Sequence, residues 1–113
     1  MIWRRMKVGK ISDMNRGWMI GNFEPSLLKT DLFEVGVLLH PKGHLWPAHY
    51  HLVATEYNLL ISGSMNVCGE ELRAGDTFII EPGEIAEPTF YEDCTIMCVK
   101  VPGTAGDKYL VKS

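Results

Sequence analysis

Gly43-His-Leu-Trp-Pro-Ala-His49-Tyr50-His51-Leu-Val-Ala-Thr-Glu56-Tyr-Asn-Leu-Leu-Ile-Ser-Gly63 is the stretch that decides the fold. Two histidines and a carboxylate are metal-ligand types, and the bounding glycines mark turns. Successive strand residues point to opposite faces, so His49 and His51, two apart, project into one small volume. Glu56 cannot join them by simple extension. Five strand residues span about 17 Å, whereas first-row metals hold imidazole and carboxylate ligands at about 2.0–2.2 Å. The chain therefore has to bulge or turn back near Ala54 and Thr55 and bring Glu56 up beside the histidines on a neighbouring strand.

The sequence around this stretch is punctuated at short intervals. Turn signals recur at Pro41-Lys42-Gly43, Ser62-Gly63, Cys68-Gly69, Ala74-Gly75-Asp76, Pro82-Gly83, Glu92-Asp93 and Pro102-Gly103. Between them lie short runs of β-branched and aromatic residues, Tyr57 to Ile61, Thr77 to Ile80 and Thr95 to Val101. Many short strands separated by Gly/Pro turns predict an all-β sandwich or barrel. Earlier in the chain, Lys7 to Ile11 and Trp18 to Phe23 read as short strands, and Asp31 to His40 as a longer one buried on both sides at Leu38. Ser26 to Lys29, following Pro25, can form one helical turn. No second domain and no linker are visible, so residues 1–113 read as a single all-β domain.

Composition narrows the partners. Of 113 residues, 46% are apolar and 22% charged, enough for one hydrophobic core and too apolar for disorder. A formal charge of −3 offers no reason to expect nucleic acid or an anionic membrane. Arg4, Arg5, Lys7 and Lys10 form a small basic cluster that reads as a solvated segment. No run approaches the ~18 apolar residues of a membrane span, and early charges interrupt any signal-peptide core, so a soluble, cytoplasmic protein is expected. The three cysteines make no CxxC pair. Cys94 and Cys98 lie about 13 Å apart along their strand, too far for a disulfide, and read as core thiols; Cys68 reads as a turn residue.

The pattern G-x5-H-x-H-x4-E-x6-G resembles, residue for residue, the first motif of the cupin superfamily. That resemblance implies a small jelly-roll, an antiparallel β-barrel, with motif 1 at 43–63. It also implies a divalent metal (Fe, Mn, Ni or Zn) inside the barrel on His49, His51 and Glu56. The second cupin motif, G-x5-P-x-G-x2-H-x3-N, is matched over 75–90 by Gly75 and Gly83, with Pro82 displaced by one position. Where the family carries its last metal-binding histidine stands Ala86, and where it carries asparagine stands Phe90. Glu84 and Glu87 are the nearby candidates for the missing ligand. Glu84 has the right alternation but sits in the turn, and Glu87 points the wrong way in a regular strand.

Two functional readings follow. In the first, the metal cupin, a His49/His51/Glu56 centre with open positions acts on or binds a small oxygen-rich molecule. In the second, the three residues are a hydrogen-bonded polar cluster without metal, and the barrel mouth binds a small ligand such as a sugar or carboxylate without catalysis. In either reading Trp46, His44, Asn58 and Phe78 are the expected ligand-binding residues. Asn58 shares the inward face with Glu56, and Trp46 offers a ring to stack on. His40 and His44 flank the Pro41-Gly43 turn and read as loop residues at the mouth. Lys100, inside an apolar run, reads as buried or snorkelling. No catalytic acid–base pair, nucleophile or phosphate-cradling loop is recognisable. The resemblance implies pairing through sheet edges and exchanged N-terminal strands; Met1, Ile2, Trp3, Met6 and Val8 supply apolar material for it and an unpaired edge strand would be covered, so a homodimer is expected.

Overall fold

The three longest strands, β2 (Glu34–His40), β4 (Thr55–Ser62) and β9 (Cys94–Val101), lie side by side with β9 in the middle. The computed structural model describes residues 6–111. In those residues β1 (Trp18–Ile20) and β7 (Thr77–Ile80) flank the trio, giving a five-stranded antiparallel sheet in the order β1-β2-β9-β4-β7. Facing it are a three-stranded sheet, β6 (Glu70–Arg73), β5 (Ser64–Val67) and β8 (Pro88–Phe90), and a short pair, β3 (His49–Tyr50) with β10 (Tyr109–Leu110). The architecture is all-β and antiparallel, as the spacing of turn signals predicts.

The core fills the space between the sheets. Leu60, Ile80 and Ile96 from the larger sheet pack on Met65, Val67 and Phe90 from the smaller one, with Ala86 and Cys94 at the seam. Leu60, Met65 and Cys98 are the largest fully buried side chains. Gly63, which closes the first motif, has φ +94°, and a Cβ there would run into the Asp93 carbonyl and Cys94. Only glycine lets β4 turn into β5 at that point.

Several local expectations differ from what forms. Lys7 to Ile11 is not a strand; it runs into a single 3-10 turn at Ile11–Asp13, and Met6 and Val8 stand more than four-fifths exposed and pair with no strand among the described residues. The strand expected over Trp18 to Phe23 ends at Ile20, and Ser26 to Lys29 forms bends rather than a helical turn, with Ser26 Oγ bonded to the Leu28 carbonyl. The long strand starts at Glu34, not Asp31. Its partner β9 ends at Val101, and the Pro102 that follows has no N–H to extend the ladder. The basic cluster at Arg4 and Arg5 and the apolar Met1, Ile2 and Trp3 lie outside the described residues.

The turn between the two halves of the first motif lies at Leu52 to Ala54, a residue or two ahead of the expected place. It carries the chain from β3, in one sheet, to β4, in the other. The Asp107 carboxylate, itself buried, accepts hydrogen bonds from the backbone N–H groups of Leu52 (2.9 Å), Val53 (3.1 Å) and Ala54 (2.8 Å). Burial pushes this carboxyl up, but the Ala54, Leu52 and Val53 donors outweigh it and hold its pKa below the usual value. Asp107→Ala should therefore cost about 2–4 kcal/mol, because it leaves up to three backbone donors without a partner. The expected readout is a lower midpoint in urea with an unchanged m-value, with Asp107→Asn falling between the two.

Candidate functional site

His49 and His51 leave β3 on the same side, and their backbone is tied to the second motif. His49 and Ala86 exchange both backbone hydrogen bonds (3.0 and 2.7 Å), and the Gly83 N–H donates to the His51 carbonyl at 2.6 Å. The ring nitrogens are assigned by their partners. His49 Nδ1 lies 3.1 Å from the Pro47 carbonyl, and His51 Nδ1 meets the Asp107 carbonyl. A carbonyl oxygen only accepts, so both Nδ1 atoms carry hydrogen, which leaves each Nε2 as the ring nitrogen available to a second partner. Glu56 Oε1 is 3.4 Å from His51 Nε2, and one ligand atom from each of His49, His51 and Glu56 lies within 4.8 Å of the others. Among the described residues this is the cluster of side chains that could hold a metal ion. Glu84 and Glu87 are exposed and stand outside it, so neither fills the place of the missing histidine.

The charge states follow from contacts. A hydrogen bond to Glu56 raises the His51 pKa against the opposing effect of burial, whereas burial lowers that of His49. Burial pushes the Glu56 carboxyl up, but His51, the Cys98 thiol and Lys100 pull it below the usual value. The Cys98 thiol donates to Glu56 Oε2 at 3.3 Å and is raised by burial and by that carboxylate, so it stays protonated.

These groups open on a cavity of about 380 Å³, within the usual range for small-molecule pockets. His44, Trp46, Asn58 and Phe78 all line it, together with the three cluster residues. Strand register places them. Glu56 sits between Lys100 on β9 and Ile80 on β7, and one inward step along, Asn58 sits between Cys98 and Phe78. His40 departs from expectation. It is the last residue of β2 and buried, not a loop residue, with its ring stacked on Phe90 at 4.5 Å and its Nδ1 3.2 Å from His44 Nδ1.

Sequence reading passed over other residues at the cavity. Asp107 carries no local signal, since what it binds lies more than fifty positions away. Arg16 and Lys108 also line the cavity, and Lys108 Nζ lies 4.3 Å from the Trp46 ring. Lys100, read as buried or snorkelling, pairs with Glu34 at 3.4 Å and lies 5.0 Å from the Trp18 ring. Gly36 makes room for that indole, since a Cβ would meet the Trp18 ring at 2.7 Å.

Neither a protein-family model nor a curated protein matches the sequence. Solved structures do match. An uncharacterized conserved protein with a double-stranded β-helix domain from Klebsiella pneumoniae aligns over 99% of this chain and 100% of its own, with 21% identity and a TM-score of 0.70. DMSP lyase DddQ from Ruegeria pomeroyi aligns over 83% of this chain and 49% of its own, at 21% identity and a TM-score of 0.65. A cupin-2 domain protein from Shewanella frigidimarina aligns over 64% of this chain and 72% of its own, at 18% identity and a TM-score of 0.53. The chain has the cupin fold.

His40 gives a test of the aromatic wall. Burial, His44 and Lys108 lower its pKa from 6.5 to about 4. The unfolded chain therefore binds the extra proton first, so this contribution to stability is complete above about pH 6.5 and lost as pH falls toward 4. Thermal melts across that window should show a smaller drop for His40→Phe than for the wild type.

Proposed function

We propose that the protein binds one divalent metal ion through His49 Nε2, His51 Nε2 and Glu56, and holds a small oxygen-rich molecule beside it in the barrel. The observation that carries this reading is the pair of Nδ1–H···O=C bonds. They leave Nε2 of each imidazole for a metal, with His51 Nε2 3.4 Å from Glu56 Oε1, the outer-shell arrangement metal-ligating histidines use. A two-histidine, one-carboxylate set suits Fe, Mn, Ni or Zn, leaves coordination positions open, and would supply Lewis-acid or redox chemistry. The chain's own contribution is to orient and enclose. Asp107 fixes His51, Cys98 fixes the Glu56 carboxylate, and Trp46, His44 and Phe78 wall the cavity beside them. The fold match to a DMSP lyase is consistent with a small-molecule ligand.

A second reading, a metal-free binding protein, is favoured by one observation. His51 and Glu56 are close enough to satisfy each other as an ion pair, and the cupin resemblance expects a fourth ligand where this chain has Ala86. Elemental analysis of purified protein decides between the two. The metal reading expects near-stoichiometric divalent metal in the wild type, depletion in His51→Ala, and at least about tenfold tighter binding in Ala86→His. Wild-type protein that takes up none of Fe, Mn, Ni or Zn at micromolar concentration would leave the metal-free reading standing.

The same proposal includes a homodimer in a reducing compartment such as the cytoplasm. All three cysteines are free thiols, consistent with such a compartment. On the outer face of the larger sheet Leu39, Tyr57, Ile61, Ile79 and Val101 stand exposed on four strands, where an antiparallel sheet ordinarily presents polar residues. A second copy packed on that face would cover them. Light scattering should give the mass of a dimer, and Tyr57→Lys combined with Ile79→Lys should shift it to the monomer.

A further inference from the structure

The cavity and the chain have opposite charge. The whole sequence carries a formal −3, yet the cavity is lined by Arg16, Lys100 and Lys108 against the single carboxylate of Glu56. Lys100 is matched by Glu34. Arg16 and Lys108 have no carboxylate within ion-pair distance among the described residues. Lys108 Nζ sits 4.3 Å from the Trp46 ring centre, Trp46 lies 6.3 Å from the His49 ring, and His49 lies 5.4 Å from that of His51. The ammonium thus stands on the same wall as the two histidines, at the exposed end of the cavity.

At the buried end the mismatch is of another kind. Asn58 is more than nine-tenths buried, and its Nδ2 has no hydrogen-bond partner. Leaving a buried amide donor unpaired costs about 1–3 kcal/mol, so its presence on the inward face calls for an acceptor supplied from outside the chain. The surfaces beside it are apolar, with Phe78, Ile80 and Ile96 on the same sheet.

We propose that the ligand of this cavity is a small carboxylate. Lys108, with Arg16, takes the carboxylate group at the open end, Asn58 Nδ2 donates to an oxygen carried further in, and a short carbon skeleton lies on Phe78 and Ile80. This rests on the cavity being the ligand site, as proposed above, but not on metal binding. A neutral sugar would leave both cations unpaired and set hydroxyls against apolar side chains. Inorganic phosphate would meet the same two cations but offers no carbon skeleton to lie on Phe78 and Ile80, and it is the competing anion in the test.

Titration calorimetry at fixed ionic strength tests this on the full chain, metal-stripped and zinc-loaded. The probes are short-chain carboxylates, each beside its neutral amide, with glucose and inorganic phosphate. At least one carboxylate should bind about tenfold or more tightly than its amide. Lys108→Met should erase that preference and Lys108→Arg restore it; the exposed Lys108 stem can change without disturbing the core. Asn58→Leu should weaken the carboxylate yet raise the melting temperature of the ligand-free protein by several degrees, since the orphan donor is gone. A panel in which no carboxylate outbinds its amide in either preparation overturns the proposal. So does tighter binding of glucose or phosphate, or a preference that survives in Lys108→Met. Metal content is measured on the same samples: a carboxylate preference in protein that takes up no metal would sink the metal reading and leave this one intact.

Discussion

Everything at the site depends on how the chain crosses from one sheet to the other between His51 and Glu56. The two histidines belong to β3 and the carboxylate to β4, and Leu52, Val53 and Ala54 make the passage with their N–H groups aimed inward. Those donors would be costly to bury alone. Asp107 satisfies them with its carboxylate and fixes the His51 ring with its own carbonyl, so one residue sets both the crossover and the imidazole tautomer. The glycine turn of the second motif adds a further tie through the His51 carbonyl.

That constraint divides the barrel interior. Along the inward rows of the larger sheet, Glu34, Lys100, Glu56 and Ile80 form one rung, Gly36, Cys98, Asn58 and Phe78 the next, and Leu38, Ile96 and Leu60 the third. Polar groups occupy the end reached by β3 and β10, and apolar groups continue into the core of Leu60, Met65 and Phe90. Buried charge is tolerated at the first end because each group has a counterpart: Lys100 faces Glu34, and Glu56 faces His51 and the Cys98 thiol. Asn58, between the two regimes, lacks such a counterpart.

Much of this was legible from residues alone. The i, i+2 histidines, the positions of Gly43 and Gly63, and the period-two alternation of Glu56, Asn58 and Leu60 against Tyr57 each rest on local backbone geometry. Asn58 and Leu60 are buried and Tyr57 is half exposed, in line with that alternation. The strands that failed, over Lys7 to Ile11 and in the first residues of Asp31 to His40, have no strand ladder to join among the described residues, and pairing is a property of the whole sheet. His40 was misplaced for a related reason. Its burial comes from Phe90, His44 and Trp46 closing on it, not from its own neighbours in sequence.

By itself, then, the sequence determined an antiparallel β fold and the inward positions of two histidines and a glutamate, because side-chain direction in a strand follows from a period of two. The cupin resemblance put Ala86 at the place where a further ligand was expected. Only the tertiary structure decided that Asp107, Lys108 and Arg16 reach the same space. It also decided which ring nitrogens are free and that the Asn58 amide has no partner. The Asp107 contacts join segments more than fifty residues apart, and no local pattern in the chain encodes such a meeting.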